Sequence, residues 1–184
     1  MAGSFFIDLL KTGQIVAEDG TFMFLNEYFL LMPVRTFLKL REKLIEKLGK
    51  KADDIFKEMG RYQVAQAIKR YSKTIGIEKL DQVKINEFGV NVMNLMGHGV
   101  FEIVDFNEKE KKVVTRSKNM PSAIEYSLLY GKSKNPIDSY ICGIWEEAYT
   151  RLFGTEMFCA ETKCMACGDS FCQFEIKPIK KVRQ

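Results

Sequence analysis

One histidine, one tryptophan and four prolines are spread over 184 residues, and the first 141 hold no cysteine at all. A single histidine excludes the catalytic zinc sites built on two or three imidazoles. Four prolines with 13 glycines exclude collagen-like and low-complexity chains. A marked charge imbalance is missing too: 28 Lys plus Arg face 24 Asp plus Glu, and a net charge of +4 gives no footprint for direct nucleic-acid binding. The short basic group Lys180, Lys181 and Arg183 reads as a solvated tail. Glu27 interrupts the most apolar stretch, Phe22 to Val34, so no segment reads as a membrane span. Met1 to Leu10 lacks the basic lead-in and small-residue cleavage site of a secretory signal. The expected compartment is the reducing cytoplasm.

The chain is 46% hydrophobic and 28% charged, a size and composition suited to one domain covering residues 1–184. Ser4 to Leu10, Gln14 to Ala17 and Thr21 to Leu25 read as short strands around the turn Glu18-Asp19-Gly20. From Pro33, helical spacing of Val34, Phe37, Leu38, Leu44 and Leu48 predicts a helix ended by Gly49, with Arg41, Glu42, Lys43, Glu46 and Lys47 on its exposed face. Ala52 to Ser72 predicts a second helix, with Ile55, Met59, Val64, Ala67, Ile68 and Tyr71 buried and Gly60 interrupting it. Lys79 to Met96 predicts a third.

Alternation then replaces helical spacing. Val100 to Phe106 and Lys112 to Thr115 read as a hairpin, and Ser122 to Tyr130 as a short helix. A further helix is expected from Pro136, capped by Asn135 and closed by Gly154, with Ile137, Ile141, Ile144, Ala148 and Leu152 inward. Glu156 to Lys163 and Phe171 to Lys177 form an antiparallel pair around the loop Cys164 to Ser170. The fold class is α+β: a helical N-terminal half, antiparallel strands, and a C-terminal helix-and-hairpin region.

All five cysteines lie between Cys142 and Cys172. An odd number in a chain without a secretory signal argues against a disulfide scaffold. Alternation in the last strand turns Cys172, Phe174 and Ile176 toward the core. In the strand before it, Met157, Cys159 and Glu161 share a face, and an unpaired inward carboxylate costs several kcal/mol. A hairpin brings Glu161, Cys164 and Cys172 together, so a metal ion can neutralise that carboxylate and tie the strands. The fourth ligand is open between Asp138 and Cys142 of the preceding helix. A competing set is Cys164, Cys167 and Cys172, because Cys164-Met165-Ala166-Cys167-Gly168 has the look of a zinc knuckle. Cys142 and Cys159 are most simply core packing, and Asp169 a turn residue.

The string Glu161-x-x-Cys164-x-x-x-Gly168-x-x-x-Cys172-x-Phe174, with Gly143 and Gly154 upstream, resembles the signature of the 4-vinyl reductase domain over roughly residues 114–177. The resemblance implies an α+β fold shared with subunits of the TRAPP tethering complex and with ligand-binding domains of nitric-oxide signalling proteins, and a closed apolar pocket for a small hydrophobic ligand. In related aromatic sensors a Cys at the start of a helix, a Glu and two Cys hold zinc. Glu161, Cys164 and Cys172 match the last three, and spacing back from Gly143 and Gly154 puts Asp138 in place of the first, with Cys142 and Cys167 as alternatives.

Trp145, Tyr149, Tyr126 and His98 are the candidate pocket residues, although aromatic side chains at helical spacing are commonly core. His98, between Gly97 and Gly99, also suits a simple turn. No nicotinamide or flavin fingerprint accompanies the vinyl-reductase name. The expected function is therefore a sensor or carrier that binds a small hydrophobic or aromatic molecule and carries a structural zinc ion. No DNA-binding or ATPase module is recognisable, so a signal would pass through a homodimer or another subunit contact. The alternatives are a reductase or accessory factor acting on a tetrapyrrole vinyl group, and a protein-interaction module like the TRAPP subunits.

Overall fold

The computed structural model describes residues 2–74 and 76–179. The basic group at 180–183 lies outside them. Helix α1 (Ala2–Lys11) leads into a small meander of β1 (Ile15–Glu18), β2 (Thr21–Phe24) and β3 (Glu27–Tyr28). Three helices follow: α2 (Val34–Leu48), α3 (Lys51–Thr74) and α4 (Gln82–Leu95). The second half comprises β4 (Val100–Asn107), β5 (Lys112–Lys118), α5 (Pro121–Tyr130), α6 (Ser139–Phe153), β6 (Met157–Lys163) and β7 (Cys172–Pro178). These four strands make an antiparallel sheet in the order β4-β5-β7-β6. The class is α+β, as the sequence predicts.

Helix α6 covers the sheet and α3 covers α6, which produces three layers. The main core lies between sheet and α6, where Val113, Met157, Cys159, Cys172, Phe174 and Ile176 face Ile141, Ile144, Trp145 and Tyr149. A second core, around Phe24, Leu25, Ala67 and Tyr71, joins the meander to α3. Glycine sets the spacing of the upper layers. A side chain at Gly60 would strike the Tyr140 carbonyl and the Ile144 nitrogen, and one at Gly143 would strike the Lys57 backbone. The two helices therefore cross backbone to backbone.

Glu146 of α6, almost fully buried, secures that crossing. It accepts hydrogen bonds from Lys57 Nζ at 2.7 Å and Arg61 at 2.5 Å on α3, and from the Cys159 N–H on β6 at 3.1 Å. One carboxylate thus links all three layers, and helical periodicity alone gave no sign of it.

Several elements depart from the sequence expectation. Ser4 to Leu10 is helical, because its apolar residues use both helical faces: Leu9 packs inward while Phe6, Ile7 and Leu10 stay exposed. In α3 the inward residues of the first half are Ala52, Phe56 and Gly60, not Ile55 and Met59, because the close crossing at Gly60 rotates the helix. Arg41 is buried rather than exposed, donating to the Ile137 carbonyl at 3.0 Å and pairing with Glu42. Helix α6 begins at Ser139, three residues beyond Pro136, since Asp138 (φ −99°, ψ 45°) still has non-helical backbone.

Candidate metal centre and ligand cavity

Each residue of the polar cluster sits at the end of a secondary-structure element. Asp138 immediately precedes α6. Glu161 lies on β6 next to an irregularity in its pairing with β7, between Glu161 and Lys163, where a strand can redirect a side chain. Cys164 opens a single 3-10 turn (Met165–Cys167) that Gly168 closes at φ 96°, and Cys172 starts β7 opposite Ser117. The Cys164 N–H donates to Asp169 Oδ2 at 2.8 Å, which holds the turn as expected of Asp169.

Asp138, Glu161, Cys164 and Cys172 bring one ligand atom each to within 4.8 Å of one another. The Asp138 N–H donates to Glu161 Oε2 at 2.9 Å, and Ser122 Oγ donates to Asp138 Oδ1 at 2.7 Å. The second oxygens, Asp138 Oδ2 and Glu161 Oε1, are buried without a partner. Burial, with the Cys164 sulfur alongside, raises the Asp138 carboxyl to about 7. Burial and the neighbouring Asp138 push Glu161 up to about 11. A hydrogen bond from Cys172 draws Cys164 down to about 5, and the same bond pushes Cys172 up.

Two carboxylates and two thiols this close, with two orphaned oxygens, are poorly satisfied by the protein alone. A divalent cation with bonds of about 2.0–2.3 Å to O and S donors suits them. Of the alternative fourth ligands, Cys142 is not part of the group: its thiol is in hydrogen-bonding contact with that of Cys159 between α6 and β6. Cys167 borders the group, in contact with Cys164, but is not one of the four.

A separate, largely apolar cavity of about 120 Å³ lies between α3, α4 and α6. Trp145, Tyr149 and His98 are in its wall, with Val64, Phe88, Gly89 and Val92. Tyr126 lines neither this cavity nor the larger groove, since it sits on α5, 5.2 Å from the ring of Tyr130 and away from α4. The Trp145 Nε1–H is buried and has no partner. His98 is largely enclosed, and loss of hydration lowers its pKa to about 4, so its imidazole is neutral.

A larger groove of about 510 Å³ runs from the segment after β3 to the start of α6, and Asp138 and Ser122 form part of its floor. Gln63, Met96 and His98 line both spaces. Tyr140 donates a hydrogen bond to Gln63 and lies 5.8 Å from the His98 ring, so these side chains form the partition.

A helix-covered antiparallel sheet with donor groups gathered at its hairpin is the arrangement of a 4-vinyl reductase domain, and that domain family matches residues 127–178. The family described as activator of aromatic catabolism matches residues 8–108, more than half of the chain, and the chain belongs to it. The N-terminal helices, whose sequence carries no recognisable signature by spacing alone, are thereby included. No curated protein sequence matches the chain.

Among solved structures, the phenol-responsive sensory domain of the transcription activator PoxR, with phenol, superposes with a TM-score of 0.79. It is 16% identical, over 94% of this chain and 89% of that one. A vinyl-4-reductase family protein from Methanocaldococcus jannaschii gives 0.52 at 20% identity, over 83% and 85%. Subunit 3 of the trafficking protein particle complex from Naegleria fowleri, covalently bound to palmitic acid, gives 0.55 at 14% identity, over 82% and 95%. At these identities the likeness establishes a shared fold. Among the described residues, no helix is long and apolar enough to cross a membrane.

Proposed function

We propose that this chain is a sensory domain for a small aromatic or hydrophobic molecule held in the cavity between α3, α4 and α6. The observation that carries the reading is an apolar cavity of about 120 Å³ with a neutral imidazole and a partnerless indole N–H in its wall. An apolar protein cavity of ~150 Å³ accepts a benzene-sized molecule, so one substituted ring is the appropriate scale. Neutral His98 offers one donor and one acceptor, which suits a hydroxyl on such a ring. Family membership and the phenol-responsive relative support the same ligand class. The groove on the other side of Gln63, Met96 and His98 is the approach from solvent.

Zinc on Asp138, Glu161, Cys164 and Cys172 completes the reading. When bound it supplies structural cross-linking: it would tie the β6–β7 hairpin to the start of α6 and satisfy the two orphaned carboxylate oxygens. Native mass spectrometry of freshly purified protein, with elemental analysis and calorimetric titration of phenol, tests both parts. The expected result is one zinc per chain and saturable binding of one phenol. Protein that binds no phenol or other monocyclic aromatic overturns the sensory reading.

A protein-interaction module is the second reading, and one feature favours it. Tyr28, Leu30 and Leu31, between the meander and α2, are 73%, 87% and 75% exposed. Self-association that disappears when Leu30 and Leu31 are changed to Ser would support it.

A further inference from the structure

Cys167 is the thiol beside the cluster that metal binding leaves unused. Cys164-Met165-Ala166-Cys167 is a C-x-x-C segment folded as a single turn: the Cys167 N–H donates to the Cys164 carbonyl at 2.9 Å, and the Gly168 N–H to that of Met165 at 3.0 Å. Such a turn holds its first and fourth Cα atoms within about 7 Å. A disulfide spans roughly 4.4–6.8 Å between Cα atoms. The two thiols are also in hydrogen-bonding contact.

Exposure separates the cysteines sharply. Cys164 and Cys172 are 1% and 0% exposed, and Cys142 and Cys159 are sealed between α6 and β6. Cys167 alone is partly exposed, beside the exposed Gly168, Asp169 and Ser170. A reagent arriving from solvent therefore meets Cys167 first, and the sulfur in contact with it belongs to a cluster donor.

We propose that Cys167 is a redox trigger: oxidation by a hydroperoxide joins it to Cys164 and withdraws Cys164 from the metal-donor set. This rests on reading the cluster as a metal site. The Cys167 sulfur attacks one peroxide oxygen and the O–O bond breaks, which leaves a sulfenic acid on Cys167 and releases an alcohol, or water from hydrogen peroxide. The Cys164 sulfur then attacks the Cys167 sulfur, the S–O bond breaks and water leaves. Two thiols lose two electrons and two protons, and the hydroperoxide is reduced. A disulfide sulfur is no longer the thiolate that ligates metal. Asp138, Glu161 and Cys172 remain, and three donors do not close a tetrahedral structural site.

The test uses the full chain, expressed with added zinc and assayed for metal content, then treated with hydrogen peroxide in the presence of a chromogenic chelator. Cleavage before Asp169 separates Cys164 and Cys167 from Cys172, so peptide masses identify the bond. The expected result is release of zinc together with a Cys164–Cys167 disulfide. Cys167→Ser and Cys167→Ala should release zinc at least tenfold more slowly, and dithiothreitol with zinc should reload the wild type. Variants that release zinc as fast as the wild type, or a bond from Cys164 to Cys172, overturn the proposal. Protein that never binds zinc counts against the metal reading alone. The same peptide map then decides the thiol chemistry: a Cys164–Cys167 bond supports it, and unlinked peptides overturn it.

Discussion

Gly143 of α6 lies against the Lys57 backbone of α3, so close that a methyl group on Gly143 would overlap the Lys57 carbonyl. The contact sets the height of α3 above the sheet and brings Lys57 and Arg61 to Glu146. Gly143→Ala should force the helices apart and destabilise the protein by about 1–3 kcal/mol, despite the roughly 1 kcal/mol that Ala gains over Gly in a helix. Urea unfolding measures it, and an unchanged midpoint would show that the crossing is not tight.

Glu146 is the buried acceptor for two cations and one backbone N–H. Arg61 is half exposed and can turn to solvent, whereas Lys57 and the Cys159 N–H cannot do so easily. Glu146→Ala should cost about 2–4 kcal/mol, somewhat below a fully buried pair, and Glu146→Gln less. The comparison of the two variants in urea separates lost charge from lost hydrogen bonding.

Removal of metal should be felt at the hairpin. Chelation is expected to lower the melting temperature of zinc-loaded protein, and Cys164→Ser or Cys172→Ser should purify with well under one equivalent of zinc. Asp138→Cys, with a third thiolate, should retain it and exchange it to a chelator more slowly than the wild type. Elemental analysis and chelator kinetics provide the readout.

Gly89 in α4 lines the cavity and has no atom within 4 Å of where its Cβ would stand. Gly89→Leu should fill the cavity, reduce phenol binding at least tenfold and leave stability unchanged or about 1 kcal/mol higher. Calorimetry together with thermal melting checks both halves. Undiminished binding would place the ligand elsewhere.

Acid should destabilise the protein through His98. Its folded pKa, about 4, lies below the ordinary 6.5, so the unfolded chain takes up the proton more readily. Stability from neutral His98 is complete above about pH 6.5 and falls as the pH drops toward 4, by about 3 kcal/mol in all. Tyr140, which faces its ring, has its pKa raised to about 12 by burial and stays neutral throughout. Urea unfolding at pH 7 and 4.5 should show a larger loss in the wild type than in His98→Gln. Equal losses would mean that His98 is hydrated.

Much of the architecture follows from local pattern. Alternation in β6 and β7 is enough to turn Glu161 and Cys172 inward, and their spacing around a Gly-closed turn brings Cys164 to them. Helical spacing defines α2, α3 and α6 because their apolar stripes face a core. The first apolar run could not be resolved in this way, since ten residues with apolar side chains on both faces satisfy a strand as readily as the helix they form.

The remaining features depend on contacts between distant segments. Spacing left Asp138, Cys142 and Cys167 open as the fourth donor. Only the docking of the β6–β7 hairpin against the start of α6 places Asp138 there and turns Cys142 toward Cys159. Glu146 and Arg41 read as ordinary helical polar residues until partners almost a hundred positions away bury them. The cavity is likewise a gap between three helices, set by the backbone contact at Gly60 and Gly143. Periodicity records which face of an element avoids water. Which element meets that face, and at what distance, is decided by packing across the whole chain.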